Sequence, residues 1–224
     1  DIQLGRGEPI TDSAIVISSM VDAVMLRLSS HEDIIEFSKH STKPVINALS
    51  DESHPCQILA DLMTYQEQRG AIKGKKIAWI GDGCNVCQTY MQAANIFDFS
   101  LSIATPKDYE PSQSYVDKYQ NNVEYFNKPL DACIDADIIV TDVWTSMGQE
   151  SEQKERELAF KGFQVDKEMM SKAKNDVIFM HCLPAYRGKE VSADVIDGKQ
   201  SVVWDEAENR LHVQKALLLY LIEN

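Results

Sequence analysis

Several polar residues in this chain stand where an apolar run ends or a helix begins, and their types suggest chemistry on an anion or a polarised carbonyl. His54 precedes Pro55, and Gln57 falls in what the pattern predicts to be the first turn of a helix, so a titratable donor and an amide lie beside a helix amino end. A capping or solvent-facing histidine is the plainer account of His54. Arg27 lies inside the apolar run Val21 to Leu28, where an unpaired guanidinium is costly, so the sequence asks for either a structural carboxylate or an anionic ligand. Asp142 and Cys182 end apolar runs. Arg210 follows Glu206 and Glu208, so a salt bridge would account for it equally well.

Gly81 to Val86 reads GDGCNV, which is close to a dinucleotide-binding GxGxxG but has Val86 in place of the last glycine. The next apolar run ends in Ala104-Thr105-Pro106, with no acid to hold a ribose hydroxyl, so a nicotinamide cofactor is not expected. Cys84 and Cys87 form a lone CxxC without a second pair. Packing at a helix start explains them, and no structural metal is expected.

The elements that position these residues alternate. Pro9 to Ser19 predicts a helix, Val21 to Leu28 a buried strand, His31 to His40 a helix and Pro44 to Leu49 a second strand. An amphipathic helix follows from Cys56, ended by Gly70. From Lys75 onward the runs KKIAWIG, FSLSIAT, NVEYF, DIIVTDVW, DVIFMHCLP and SVVW predict the strands of an open parallel sheet, a doubly wound α/β domain. The charged stretch between Ser146 and Lys161 predicts a solvated helix or a loop, and Ala207 to Asn224 a terminal packing helix. The domain division expected is 1–54, 55–206 and 207–224, the first of these an incomplete α/β unit. In an open sheet, ligands bind beyond the carboxyl ends of the strands, where GDGCN, TP, DVWTSMG and HCLP would converge.

Composition narrows the function classes. The 224 residues carry a formal charge of -13, which argues against a nucleic-acid partner, since polyanions are held through Lys and Arg. Five cysteines, an odd number spread through apolar segments, read as reduced thiols and favour the cytoplasm, with the mitochondrial matrix as the alternative. No apolar run approaches the ~18 residues that a bilayer demands, so no membrane association is expected.

His54-Pro55-Cys56-Gln57 with the following Ile-Leu-Ala-Asp-Leu, Asp142 to Gly148 (DVWTSMG), His181 to Ala185 (HCLPA) and Ala207 to Arg210 (AENR) resemble, in this order, the motifs of the transcarbamoylase family, most of all its ornithine-using branch. The resemblance covers essentially the whole chain. It implies transfer of a carbamoyl group from carbamoyl phosphate to the δ-amino group of L-ornithine, giving L-citrulline and phosphate, without a metal or organic cofactor, in a homotrimer. By the same resemblance Arg27, His54 and Arg210 face carbamoyl phosphate, with Gln57, Cys182 and the backbone at Leu183 near its carbamoyl group and Gln3 at a neighbouring subunit's site. Asn85, Asp142, Ser146 and Met147 would hold ornithine, and Asp142 with Cys182 would serve the proton lost by the amine. Two departures stand out. Cys84 occupies a position where the family usually has a second Asn, and the family's Ser-Thr-Arg-Thr-Arg phosphate segment, expected before residue 1, is not among these residues. Aspartate, putrescine or acetylornithine carbamoylation, or an inactive subunit acting as an interaction partner, are the alternatives.

Overall fold

Which face of a strand an apolar residue meets decides how these runs assemble. The computed structural model describes residues 7–145 and 150–223, arranged as an α/β fold with two parallel sheets. The smaller sheet pairs β1 (Val24–Arg27) with β2 (Val45–Leu49) through α2 (His31–His40), and α1 (Ile10–Ser18) lies beside α2. Ser30 starts α2 by accepting from the Asp33 N–H at 3.1 Å. Ala14, Val24, Leu26, Ile34 and Phe37 form the core of this unit.

Because only one face of this sheet is covered, burial along β1 alternates, leaving Met25 and Arg27 exposed. The expected buried strand over Val21 to Leu28 is thus corrected to four half-buried residues. Arg27 stands at the end of β1 rather than inside an apolar interior.

Pro55 opens α3 (Pro55–Arg69) at a position where its missing N–H costs nothing, and Gly70 closes it with φ +88°. Then come β3 (Lys76–Ile80), α4 (Asn85–Phe97), β4 (Ser100–Ala104), α5 (Gln113–Lys118), β5 (Val123–Phe126), α6 (Pro129–Ala132) and β6 (Ile138–Thr141). A short 3-10 turn at Glu150–Glu152 leads to α7 (Gln153–Ala159), α8 (Lys167–Lys172), β7 (Ile178–His181), α9 (Ala193–Ile196) and α10 (Val203–Glu223). The larger sheet runs β5-β4-β3-β6-β7, every pair parallel.

Both faces of this sheet are covered, so its strands read as unbroken apolar runs. On β3, Ile77 and Trp79 join one core while Ala78 and Ile80 join the other, and β6 divides Ile138 and Val140 from Ile139 in the same way. Each fully buried Ile on these strands contributes about 1.5–3 kcal/mol.

The expected strand SVVW is not one. Ser201 makes a single bridge to Phe179, and the chain turns into α10 at Val203, with Asp205 and Glu206 in the first helical turn where the macrodipole favours acids. The terminal helix therefore starts four residues before Ala207 and packs along α3. Among the described residues no helix is long and apolar enough to cross a membrane.

Candidate active site

The strand order reverses between β3 and β6, and at such a point the connections leave to opposite sides and open a crevice. Asp82 follows β3, Asp142 follows β6, and Cys182 follows β7. The ends of β1 and β2 look onto the same space. A cavity of about 1500 Å³ results, with Arg27, His54, Asn85, Asp142, Cys182 and Arg210 among its lining residues.

One end of the cavity is cationic. Arg27 is exposed to it, and its side chain has no hydrogen bond or ion pair among the described residues. Arg210, in the second turn of α10, donates to Gln57 Oε1 at 2.6 Å, while its Nε is buried without a partner. The salt bridge to Glu206 or Glu208 that the sequence allowed does not form. His54 is neither a side-chain cap nor solvent-facing: it is 6% exposed, and its Nδ1 has no partner. Its main-chain N–H donates to Thr89 Oγ1 at 2.8 Å. Burial, then the charges of Arg210 and Arg27, lower its pKa to about 4, so at neutral pH the ring is neutral and offers one N–H donor.

Gln57 lies at 1% exposure, one layer below. Its Nε2 donates to Asp61 Oδ1 and Glu206 Oε1, both at 2.8 Å, and its Oε1 takes Arg210. These bonds use both amide hydrogens and one lone pair of Oε1, so Gln57 supports Arg210 and keeps one acceptor site on its oxygen.

The other end is acidic. Asp142 Oδ1 accepts from the Val143 N–H at 2.7 Å and from the Cys182 thiol at 3.1 Å, and Oδ2 faces the Cys84 thiol at 3.7 Å. Burial, then the charge of Asp142, push both thiols well above the usual range. They stay protonated at neutral pH and serve as donors that orient the carboxylate. Within the Asp142–Cys182 pair the carboxylate is thus the acceptor and the thiol its donor. Asn85 donates to the Ser50 carbonyl at 2.7 Å and borders the cavity. Leu183 sits in the left-handed region at φ +54°, its N–H donating to His181 Nδ1 at 2.9 Å, so its backbone is turned at the cavity edge. Asp142, His181 and Cys182 bring donor atoms within 4.8 Å of one another, with the imidazole already engaged by Leu183.

Sequence reasoning missed a pair. Arg156 on α7 is only 7% exposed although its stretch reads as solvated, and it donates to Asp82 Oδ2 at 2.9 Å and to the Trp144 carbonyl at 3.0 Å. Its guanidinium lies 5.0 Å from the Tyr109 ring centre. Burial raises the Asp82 carboxyl to about 6 against the opposing charge of Arg156. An acid directly after a buried strand was the available signal. Nearby, a Cβ on Gly83 would lie 2.2 Å from Pro111 N, so the GDG loop needs glycine for a close backbone approach rather than for a pyrophosphate.

Two family models divide the chain between them: the carbamoyl-P binding domain of aspartate/ornithine carbamoyltransferase matches residues 1–67, and its Asp/Orn binding domain matches residues 73–221. The chain belongs to the aspartate/ornithine carbamoyltransferase family. Within it, the ornithine carbamoyltransferase of Ruthia magnifica is 65% identical over 222 residues, covering 99% of this chain and 74% of that relative. The crystal structure of ornithine carbamoyltransferase from Burkholderia thailandensis superposes with a TM-score of 0.91 at 52% identity, over 99% of this chain and 73% of that one. The ornithine carbamoyltransferase of Pyrococcus furiosus gives 0.94 at 49% identity, over 100% and 74%. For an aspartate/ornithine carbamoyltransferase the cavity therefore lies where the sheet topology puts it. Gln3, Ser146 and Met147, also expected at the site, fall outside the described residues.

Proposed function

We propose that this chain transfers the carbamoyl group of carbamoyl phosphate to the δ-amino group of L-ornithine, giving L-citrulline and phosphate. The observation that carries this reading is the polarity of the cavity: Arg27, His54 and Arg210 at one end, Asp142 between two thiols at the other. Arg27 suits the phosphate, as a guanidinium without a hydrogen bond or ion pair among the described residues. The Arg210 guanidinium and the neutral His54 N–H suit the carbonyl oxygen, where negative charge develops as the carbon becomes tetrahedral. Asp142 suits the ammonium groups of ornithine. The δ-ammonium sheds one proton toward this carboxylate, and the freed lone pair forms the bond to the carbonyl carbon. The carbon–oxygen bond to phosphate breaks with its electron pair leaving on phosphate, and the second proton of the attacking nitrogen passes to that departing phosphate.

A dicarboxylate acceptor fits less well, since Asp82, Asp142, Glu152 and Glu155 line this side of the cavity. Five free cysteines accord with a reducing cytoplasm, and a homotrimer completes the reading that the family suggests. The test is a steady-state assay of the purified native protein with carbamoyl phosphate and ornithine, aspartate or putrescine in turn. Citrulline formed at a rate well above the other two carbamoylated products is expected. Absence of citrulline, or faster carbamoylation of aspartate, overturns the proposal.

A further inference from the structure

Below the cavity floor, Gln57, Asp61 and Glu206 lie at 1%, 3% and 1% exposure, and the chemistry above uses neither carboxyl group. Every carboxyl oxygen has a donor. Gln57 Nε2 reaches Asp61 Oδ1 and Glu206 Oε1 at 2.8 Å each, the Tyr90 hydroxyl donates to Asp61 Oδ2 at 2.6 Å, and the His181 N–H donates to Glu206 Oε2 at 2.9 Å. On its far side Gln57 Oε1 accepts from Arg210 at 2.6 Å. A carboxamide can face either way in a symmetric site, but this one cannot. A guanidinium only donates, so the amide must turn its oxygen to Arg210 and its NH2 group to acceptors.

Two carboxyl groups this close and this buried do not both ionise beside a single guanidinium. Burial raises Asp61, with Tyr90 and Gln57 opposing, and burial followed by the charge of Asp61 raises Glu206 further. The charged or titratable groups facing the pair are Arg210 on its own helix α10, Tyr90 from α4 and Cys182 after β7. One proton held between the two leaves a single negative charge to match Arg210.

We infer that Asp61 and Glu206 are positioning residues for Arg210: by accepting both N–H bonds of Gln57 they fix which way its amide faces and so aim the guanidinium into the cavity toward carbamoyl phosphate. The inference rests on the proposed function and predicts an asymmetry. With Asp61→Asn, the new amide oxygen accepts from Gln57 and its NH2 faces Tyr90, whose hydroxyl can rotate and accept. With Glu206→Gln, a single amide oxygen must serve two donors that cannot turn, the His181 N–H and the Gln57 NH2. One donor is then set against another.

Steady-state kinetics of the full chain, with both substrates varied, read this directly. Glu206→Gln should raise KM for carbamoyl phosphate on the order of tenfold or more while KM for ornithine moves by less than about twofold, and Asp61→Asn should give a rise several times smaller. In the unsubstituted protein, carbamoyl phosphate affinity should weaken as pH rises and the pair loses its shared proton. Asp61→Asn, which already mimics the singly charged pair, should lack that fall, and the ratio of the two profiles cancels the substrate's own ionisation. Equal KM changes for both substrates, or equal effects of the two variants, overturn the inference. Should Glu206→Gln melt early, Gln57→Met uncouples the pair from Arg210 and is read by the same split. If no citrulline forms at all, the functional reading fails, and calorimetric titration of carbamoyl phosphate into the same proteins still decides the positioning role: equal affinity in the Glu206→Gln variant overturns it.

Discussion

At the cationic end of the cavity Arg210 is steadied from below by a neutral amide and a buried carboxyl pair carried on α3 and α10, two long helices packed along each other. At the acidic end Asp142 is steadied by a main-chain N–H and a thiol, on segments that leave the sheet, and its neighbour Asp82 is tied to the seven-residue α7 by one ion pair. The difference separates two tasks. Charge stabilisation on a fixed leaving group rewards donors that do not reorganise, whereas an acceptor amine must enter, shed a proton and be enclosed.

Breaking the acidic end should have the largest effect. Asp142→Asn removes the charge that faces the amine, and turnover should fall by at least about a hundredfold while carbamoyl phosphate affinity changes by less than about threefold. Steady-state assays with a separate binding titration check both parts, and near-normal turnover would remove Asp142 from the mechanism.

Next in size is a pH effect from the cationic end. His54 drops from 6.5 in the unfolded chain to about 4 in the fold, so between those values the unfolded chain holds a proton that the folded one does not. Stability must then fall as pH is lowered from 6.5 toward 4. His54→Asn should flatten that fall by on the order of 2 kcal/mol, as read from denaturant unfolding at pH 7 and pH 4.5. Parallel losses in both proteins would contradict the assignment.

The smallest expected effect sharpens the comparison within the acidic end. Arg156→Met leaves Asp82 buried without its partner and should raise KM for ornithine by about tenfold, leaving KM for carbamoyl phosphate within about twofold. A change shared by both substrates would mean that α7 supports the whole cavity rather than one side.

The strands of the larger sheet were legible because both faces are covered: IAWI and IIV within β3 and β6 are unbroken apolar runs. The smaller sheet was read too long and too deep, since alternation in VMLR separates a one-sided strand from a buried one only when its partner layers are known. SVVW misled because two valines that close a core look the same whether a strand or a helix start carries them. At the site, Asp142 and Cys182 were visible as polar residues ending apolar runs, and His54 as a titratable donor just before a helix start. The burial of Arg156 was not, because QKERE shows the charge pattern of a solvated helix and only the tertiary approach of Asp82, Trp144 and Tyr109 takes one of those charges inward.

Gly83 sets a limit on how this cavity can be remodelled by mutation. A side chain there would collide with the nitrogen of Pro111 and the carbonyl carbon of Glu110, atoms that belong to the backbone and are not trimmed by changing either residue. Drift toward a new amine acceptor therefore meets a closed door at position 83, and no single compensating substitution in the opposing loop opens it. Position 84 already carries a side chain, a thiol facing Asp142, on extended backbone at φ -67°. Variation at this wall should enter through residue 84, whether selection or a mutagenic library supplies it.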